Sequence, residues 1–287
     1  MAQLNALAST IFILCSLLNS NRGEPIRGNN VQKVEDGEFP FVVSFNIPDQ
    51  SPVDDREHFC TGVLISERHV LTAAHCIRTD DSMRRVEILA GHSNLISPYV
   101  RKFKPASWLK YEDWIQFSSK KKLKKSAEAY HDIAIVKLAT TSTGISPAKL
   151  MPMKTKIREG KSILLTGWGK TNHGIKPLIM RKATLTVSSK ESCITRAHRI
   201  KPDFYDYDSL LKDNTIYFSD DSCAHGECGD VGNPIFDENQ HVMGIYVGRC
   251  PPIGRFDPLQ FNVAMNINYY RDFLKAAIQN LGDKSTA

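Results

Sequence analysis

From residue 39 onward, short runs of alternating or continuous apolar residues punctuate the chain. Phe39-Pro40-Phe41-Val42-Val43-Ser44-Phe45 follows a turn at Gly37 and reads as a strand. Phe59 to Ile65 and His69 to Cys76, separated by a short polar break, predict two strands of a meander, and Val86 to Ala90 predicts another. The same pattern recurs at Ile133 to Leu138, Ser162 to Gly167, Lys182 to Val187 and Gly244 to Gly248. Helical spacing stands out at the far end, where Tyr270, Phe273, Leu274, Ala277, Ile278 and Leu281 fall on one face. Thr140 to Pro152, rich in Thr, Ser, Pro and Gly, predicts a linker between two β-rich halves.

A different pattern opens the sequence. Leu4 to Leu18 is an apolar run too short to span a bilayer, followed by Asn19-Ser20-Asn21, and it predicts a secretory signal over residues 1–20 with cleavage between Ser20 and Gly23. The whole chain, at 41% apolar and 24% charged over 287 residues, is globular in composition. Setting Cys15 aside with the signal leaves Cys60, Cys76, Cys193, Cys223, Cys228 and Cys250, an even set that fits an oxidising, extracellular destination. No second Cys or His pair has zinc-finger spacing, and no motif predicts a metal or other cofactor. The net charge is +6, and Lys120, Lys121, Lys122, Lys124 and Lys125 form a basic run. It suits anionic polysaccharide or acidic protein surfaces, or simply a solvated loop. Nothing in the pattern points to nucleic acid.

Three motifs carry the chemistry. Thr72-Ala73-Ala74-His75-Cys76 ends one predicted strand, His131-Asp132-Ile133-Ala134-Ile135-Val136-Lys137-Leu138 begins another, and Cys228-Gly229-Asp230-Val231-Gly232-Asn233-Pro234 lies in the second half. With Thr166-Gly167-Trp168-Gly169 between them, their order and sequence resemble the trypsin-like serine proteases over residues about 34 to 282. The resemblance implies two antiparallel six-stranded β-barrels, an all-β fold with a C-terminal helix. On that plan an N-terminal arm covers 21–33, the first barrel 28–148, the second 149–264, and the helix and tail 265–287. It also implies bridges Cys60–Cys76, Cys193–Cys223 and Cys228–Cys250. Asp132 would accept the Nδ1 proton of His75 and fix its tautomer. The aromatic segment Trp108, Tyr111, Trp114 and Phe117, leading into the lysine run, would overhang the cleft.

Departures from the family pattern converge on the same place. Val231 stands where the family carries its nucleophilic serine, and an isopropyl group has neither lone pair nor transferable proton. Cys228 abuts Gly229, which makes the oxyanion-hole turn one residue short, and only Ala224 to Glu227 separate Cys223 from Cys228 at the specificity pocket. Tyr246-Val247-Gly248 replaces the Ser-Trp-Gly edge that pairs with a bound peptide. In the family, cleavage exposes an Ile-Val terminus whose amine pairs with the aspartate at Asp230. Arg27-Gly28 offers a tryptic site but glycine instead of isoleucine, so Asp230 needs another partner or bears a desolvation cost. The expectation is a secreted serine protease homologue without catalysis, a decoy or cofactor that binds a protease, its substrate or its inhibitor. Homologues of this kind act in arthropod clotting and melanisation cascades and in parasitoid venoms. The alternative is an active hydrolase using another nucleophile, of which Ser222 is the nearest, or an anion-binding protein acting through the lysine run.

Overall fold

The structure is a computed structural model, and it describes residues 31–48, 57–119, 131–169, 177–200, 214–219, 229–250 and 261–282. Two antiparallel sheets make up most of it. The first contains β2 (Val42–Ile47), β3 (Glu57–Ser66), β4 (His69–Thr72), β5 (Glu87–Ala90), β6 (Arg101–Phe103), β7 (Pro105–Lys110) and β8 (Ala134–Leu138). Their order is β6-β5-β2-β3-β4-β8-β7, a curled sheet whose end strands are consecutive in sequence. The second contains β1 (Gln32–Lys33), β9 (Ser162–Gly167), β10 (Arg181–Ser188), β11 (Thr215–Ser219), β12 (Pro234–Phe236), β13 (Val242–Cys250) and β14 (Phe261–Asn266). Here β9 pairs with both β12 and β10, which closes six strands into a ring with β1 added outside. The all-β, two-barrel architecture implied by the motifs is the one observed, with the second barrel closed and the first curled.

Alternation explains how each strand fills its barrel. In β10 the buried residues are Ala183, Leu185 and Val187, with exposed threonines between them, so one face supplies the core. In β8 every residue is buried, because the strand lies between β4 and β7 within the curl. Most buried apolar residues of both halves form one continuous cluster, from Val42, Phe45 and Leu64 in the first to Leu165, Ile235 and Ile245 in the second, with Cys193, Tyr217 and Phe261 in a smaller one.

Strand β1, although it precedes the first sheet in sequence, pairs with β10 in the second, Gln32 opposite Lys182. The crossing is secured by Val34 N–H donating to Met180 O at 2.9 Å. The segment predicted as a linker is likewise tied to both halves: Ala148 N–H donates to Leu64 O, and Met151 N–H to Val242 O.

Four helices complete the described fold: α1 (Asp80–Arg85), α2 (Tyr111–Ser119), α3 (Lys190–Ile200) and α4 (Arg271–Gly282). The predicted C-terminal helix is α4, and Tyr270, Phe273, Leu274, Ala277 and Leu281 bury the expected face. Of the aromatic segment before the lysine run, Trp108 lies in β7 and Tyr111, Trp114 and Phe117 lie in α2. Tyr111 meets Phe273 edge-on at 5.4 Å and Trp114 meets it at 5.7 Å, so α2 docks on α4, while Phe117 stays exposed.

One buried histidine gives the first half a pH dependence. His69, opposite Lys137 in the β4–β8 ladder, bonds the Ser66 hydroxyl through Nδ1 at 2.7 Å, whereas its Nε2 is buried without a partner. Burial lowers its pKa, and the charges of Lys137 and Arg68 lower it further. Below about pH 6.5 the unfolded chain binds a proton that the folded chain refuses, so stability falls as pH drops through the lowered folded value. Replacing His69 with Phe should flatten this acid limb. Urea midpoints at about pH 7.5 and about pH 5 check it, and an equal acid loss in both proteins would assign the limb elsewhere.

Candidate functional site

The register of the first sheet brings the histidine and aspartate together. Thr72, the last residue of β4, lies opposite Ala134, the first of β8, so the three residues that follow Thr72 and the two that precede Ala134 meet at one end of the sheet. His75 sits there in a single 3₁₀ turn, Ala74–Cys76, held by a disulfide from Cys76 to Cys60 in β3 with a Cα separation of 6.0 Å. This is the bridge the motifs implied. Closing so short a loop removes about 3 kcal/mol of unfolded-chain entropy in the loop-closure model.

Asp132 holds His75 at two points. The ring Nδ1–H donates to Oδ2 at 2.5 Å, and the His75 backbone N–H donates to Oδ1 at 2.9 Å. Burial alone would lower the His75 pKa, but the charge and hydrogen bond of Asp132 overcome it and the net direction is upward, against the opposing charge of Lys110. For Asp132, burial would raise the pKa, yet the His75 charge and the N–H groups of His75 and Ala74 leave the carboxyl below its usual range.

Behind the pair, His131 is buried, with Nδ1 bonded to the Tyr270 hydroxyl at 3.0 Å and its ring 4.7 Å from that of Tyr111. Asn214 Nδ2 donates to the same hydroxyl at 2.8 Å. The residue beside Asp132 is thereby anchored to the C-terminal end of the chain.

The turn carrying Val231 belongs to the second half but is bonded to both. Asp230 has no exposed surface; its Oδ1 accepts Gly169 N–H at 2.8 Å and Asn233 Nδ2 at 3.1 Å. The carboxylate is seated so closely that a Cβ on Gly169 would lie 2.1 Å from Oδ2, which leaves glycine as the residue that fits. Gly232 is similarly required, with φ +87° and a hypothetical Cβ 2.0 Å from Thr61 O.

Across the seam, Gly229 O accepts His58 Nε2–H at 2.8 Å and the Thr61 hydroxyl at 3.0 Å, and Val231 O accepts Thr61 N–H at 2.8 Å. Ser44 Oγ takes the Asn46 amide N–H and lies 2.7 Å from His58 Nδ1, while the Gly229 carbonyl requires a proton on His58 Nε2. Val231 O also lies 3.8 Å from Cys76 Sγ, so the turn abuts the residue following His75. The structure thus joins His75, Asp132 and the Val231 turn at one seam. The Val231 side chain, 8% exposed, presents only carbon to it.

The peptide edge expected at Tyr246-Val247-Gly248 lies in β13, with a bulge at Val247. Tyr246 is buried and exchanges backbone hydrogen bonds with the turn: Gly232 N–H donates to Tyr246 O, and Tyr246 N–H to Asn233 O. Cys193 is buried in α3 and Cys250 ends β13, but Cys223 and Cys228 lie outside the described residues, as do Ser222, residues 224–227, Lys120 to Lys125, the signal segment and Arg27-Gly28.

Two contributors escape a reading of the sequence. Asn233 answers the need of Asp230 for a partner, and its only signal is an amide where the family signature has glycine. His58 and Ser44 fall in ordinary strand positions, and nothing local marks the buried chain they form.

Two barrel-like sheets with a His–Asp pair and a glycine-flanked turn at their seam define a protein of the two-barrel protease class. A family model described as Trypsin matches residues 29–274, and the chain belongs to that family. It is similar to Trypsin iota of Drosophila melanogaster, 25% identical over 249 residues that cover 85% of this chain and 88% of that protein. Chymotrypsin-2 of Vespa crabro is 30% identical over 161 residues, 55% of this chain and 64% of the relative. Among solved structures, neuropsin, a serine protease of mouse brain, superposes with a TM-score of 0.65 at 18% identity, covering 86% of this chain and 98% of its own.

Because Asp230 is wholly buried and hydrogen-bonded, removing its Asn233 donor should be costly. Asn233→Gly is expected to destabilise the protein by about 1.5–3 kcal/mol, the range for hydrogen bonds to a charged group. Urea unfolding checks this, and a change below about 0.5 kcal/mol, ordinary for a neutral site, would show that Asn233 is dispensable.

Proposed function

We propose that this chain is a secreted, non-catalytic member of the trypsin family that binds a protease, a protease substrate or a protease inhibitor as a decoy or cofactor. The observation that carries the reading is Val231. In the turn between buried Asp230 and Gly232, at the seam where His75 and Asp132 meet, the side chain that would attack a carbonyl has no oxygen. Loss of the nucleophile costs about 10⁶ in turnover in a comparable triad. An immune cascade such as melanisation or clotting, or a venom, is the proposed setting, and the insect origin of two similar proteins is in keeping with it. The apolar run over 4–18 supports secretion.

The intact His75–Asp132 pair favours a second reading, an active hydrolase with another nucleophile. Among the described residues no hydroxyl is hydrogen-bonded to His75 Nε2, so this reading requires a group that reaches it only with substrate bound.

The two readings separate cleanly in solution. Purified mature protein should turn over neither peptide anilides nor esters and should resist serine-directed fluorophosphonates. Val231→Ser should restore little or nothing, because the turn at Cys228-Gly229 is one residue short of the family's oxyanion hole. Peptide hydrolysis by the unmutated protein, abolished by His75→Ala, would establish the hydrolase instead.

A further inference from the structure

His75 has one ring nitrogen committed and one at large. Nδ1–H and the backbone N–H are both bound to Asp132, so the imidazole cannot rotate without breaking a hydrogen bond at 2.5 Å. Nε2 projects from the opposite side of the ring. It has no hydrogen-bond partner among the described residues, and unlike the Nε2 of His69 it is not sealed from solvent. A quarter of the side chain is exposed. The neighbouring Val231 side chain supplies no donor or acceptor, and Lys110, the last residue of β7, lies opposite Ala134 at the same end of the sheet and adds positive charge there.

These features describe an oriented, solvent-reachable ring nitrogen in a positive setting: with Nδ1–H on Asp132, Nε2 is an acceptor in the neutral imidazole and a donor in the imidazolium. We propose that His75 Nε2, with Lys110 beside it, is a docking point for a carboxylate presented by the protein partner, either an acidic side chain or a chain terminus. This rests on the binding reading above and names the chemistry that the seam selects. A carboxylate there accepts the Nε2 proton and places the imidazolium between two anions, its own Asp132 and the guest, both in charge-assisted hydrogen bonds. The charged groups that act on the ring are Asp132, which favours the imidazolium, and Lys110, which opposes it until a guest anion neutralises it. A bound carboxylate therefore raises the His75 pKa, and by linkage it binds more tightly at lower pH. A serine hydroxyl at residue 231 would compete for the same nitrogen, which valine does not.

The test uses the full secreted chain labelled at histidine nitrogen, with the His75 pKa read by NMR. The probes are three short blocked peptides: one with Asp and an amidated end, one with Asn and an amidated end, and one with Asn and a free C-terminal carboxylate. A carboxylate-bearing peptide should raise the His75 pKa by about 0.5–1 unit and bind about three- to tenfold more tightly on the acid side of that pKa, with no effect from the neutral peptide. Which of the two carboxylate peptides responds identifies the source. His75→Gln should remove the preference for Asp over Asn, and Lys110→Gln should reduce it. Responses to both carboxylate peptides no larger than to the neutral peptide in the unmutated protein, or a carboxylate preference that survives His75→Gln, would overturn the proposal. Cleavage of the peptides during the titration would count against the non-catalytic reading, whatever the pKa does.

Discussion

A carboxylate with no exposed surface must be solvated by the protein, and Asp230 imposes that constraint on everything around it. Its Oδ1 takes a backbone N–H from Gly169 and an amide N–H from Asn233, which fixes the end of β9 against the Val231 turn. The close seating explains the glycines of Thr166-Gly167-Trp168-Gly169: a Cβ at Gly167 would lie 2.1 Å from Asn233 Nδ2, and one at Gly169 equally near Asp230 Oδ2. With the glycines absorbing the contact, Trp168 turns the other way and donates from Nε1 to Ser93 O in the first half at 2.8 Å. The same turn is gripped from the first half by His58 and Thr61, so its position is determined from both sides of the seam.

The His75–Asp132 pair has a structural duty that does not depend on chemistry. Asp132 accepts N–H groups from the 3₁₀ turn that the disulfide constrains, and a helical turn this short cannot satisfy its own first donors. On the other side its neighbour His131 joins Tyr270, Asn214 and Tyr111 in a buried polar cluster that attaches α4 to the first half. The orientation of His75 does not depend on which side chain stands at residue 231, because it is maintained by folding interactions. Preserved geometry of the pair is weak evidence about turnover for the same reason, and residue 231 has to carry that question.

What was legible in the sequence is what is local. Alternation placed β3, β8, β9 and β10 to within two residues at either end, the run from His69 continues four residues past the end of β4 into the 3₁₀ turn, helical spacing placed α4, and the Cys60–Cys76 bridge came with the histidine motif. Local pattern failed where the partner is distant. The two residues of β1 have no pattern of their own and belong to the second sheet through a pairing with residues about 150 positions away. Trp108, Tyr111, Trp114 and Phe117 recur every third residue, a spacing compatible with a helix that does not name its partner, and the contact that docks α2 is with Phe273. His58 reaches Gly229 across 171 positions. The part played by Asn233 depends on Asp230 being buried within reach of its amide, a distance no local pattern shows.

These contacts bear on binding as much as on catalysis. An enzyme needs a rigid seam so that donors are already aimed when charge develops, and the cost of aiming them is met during folding. A binding protein gains from the same rigidity for a simpler reason: side chains and turns already ordered lose less entropy when a partner arrives. The Val231 turn, bonded to both halves, and the His75 ring, bonded twice to one carboxylate, are ordered in this sense before any encounter. Exchanging serine for valine removes the reactive atom and leaves that order in place. A protease scaffold can therefore lose its chemistry at one residue and still offer a preformed recognition surface, which is the physical basis for reading this chain as a binder.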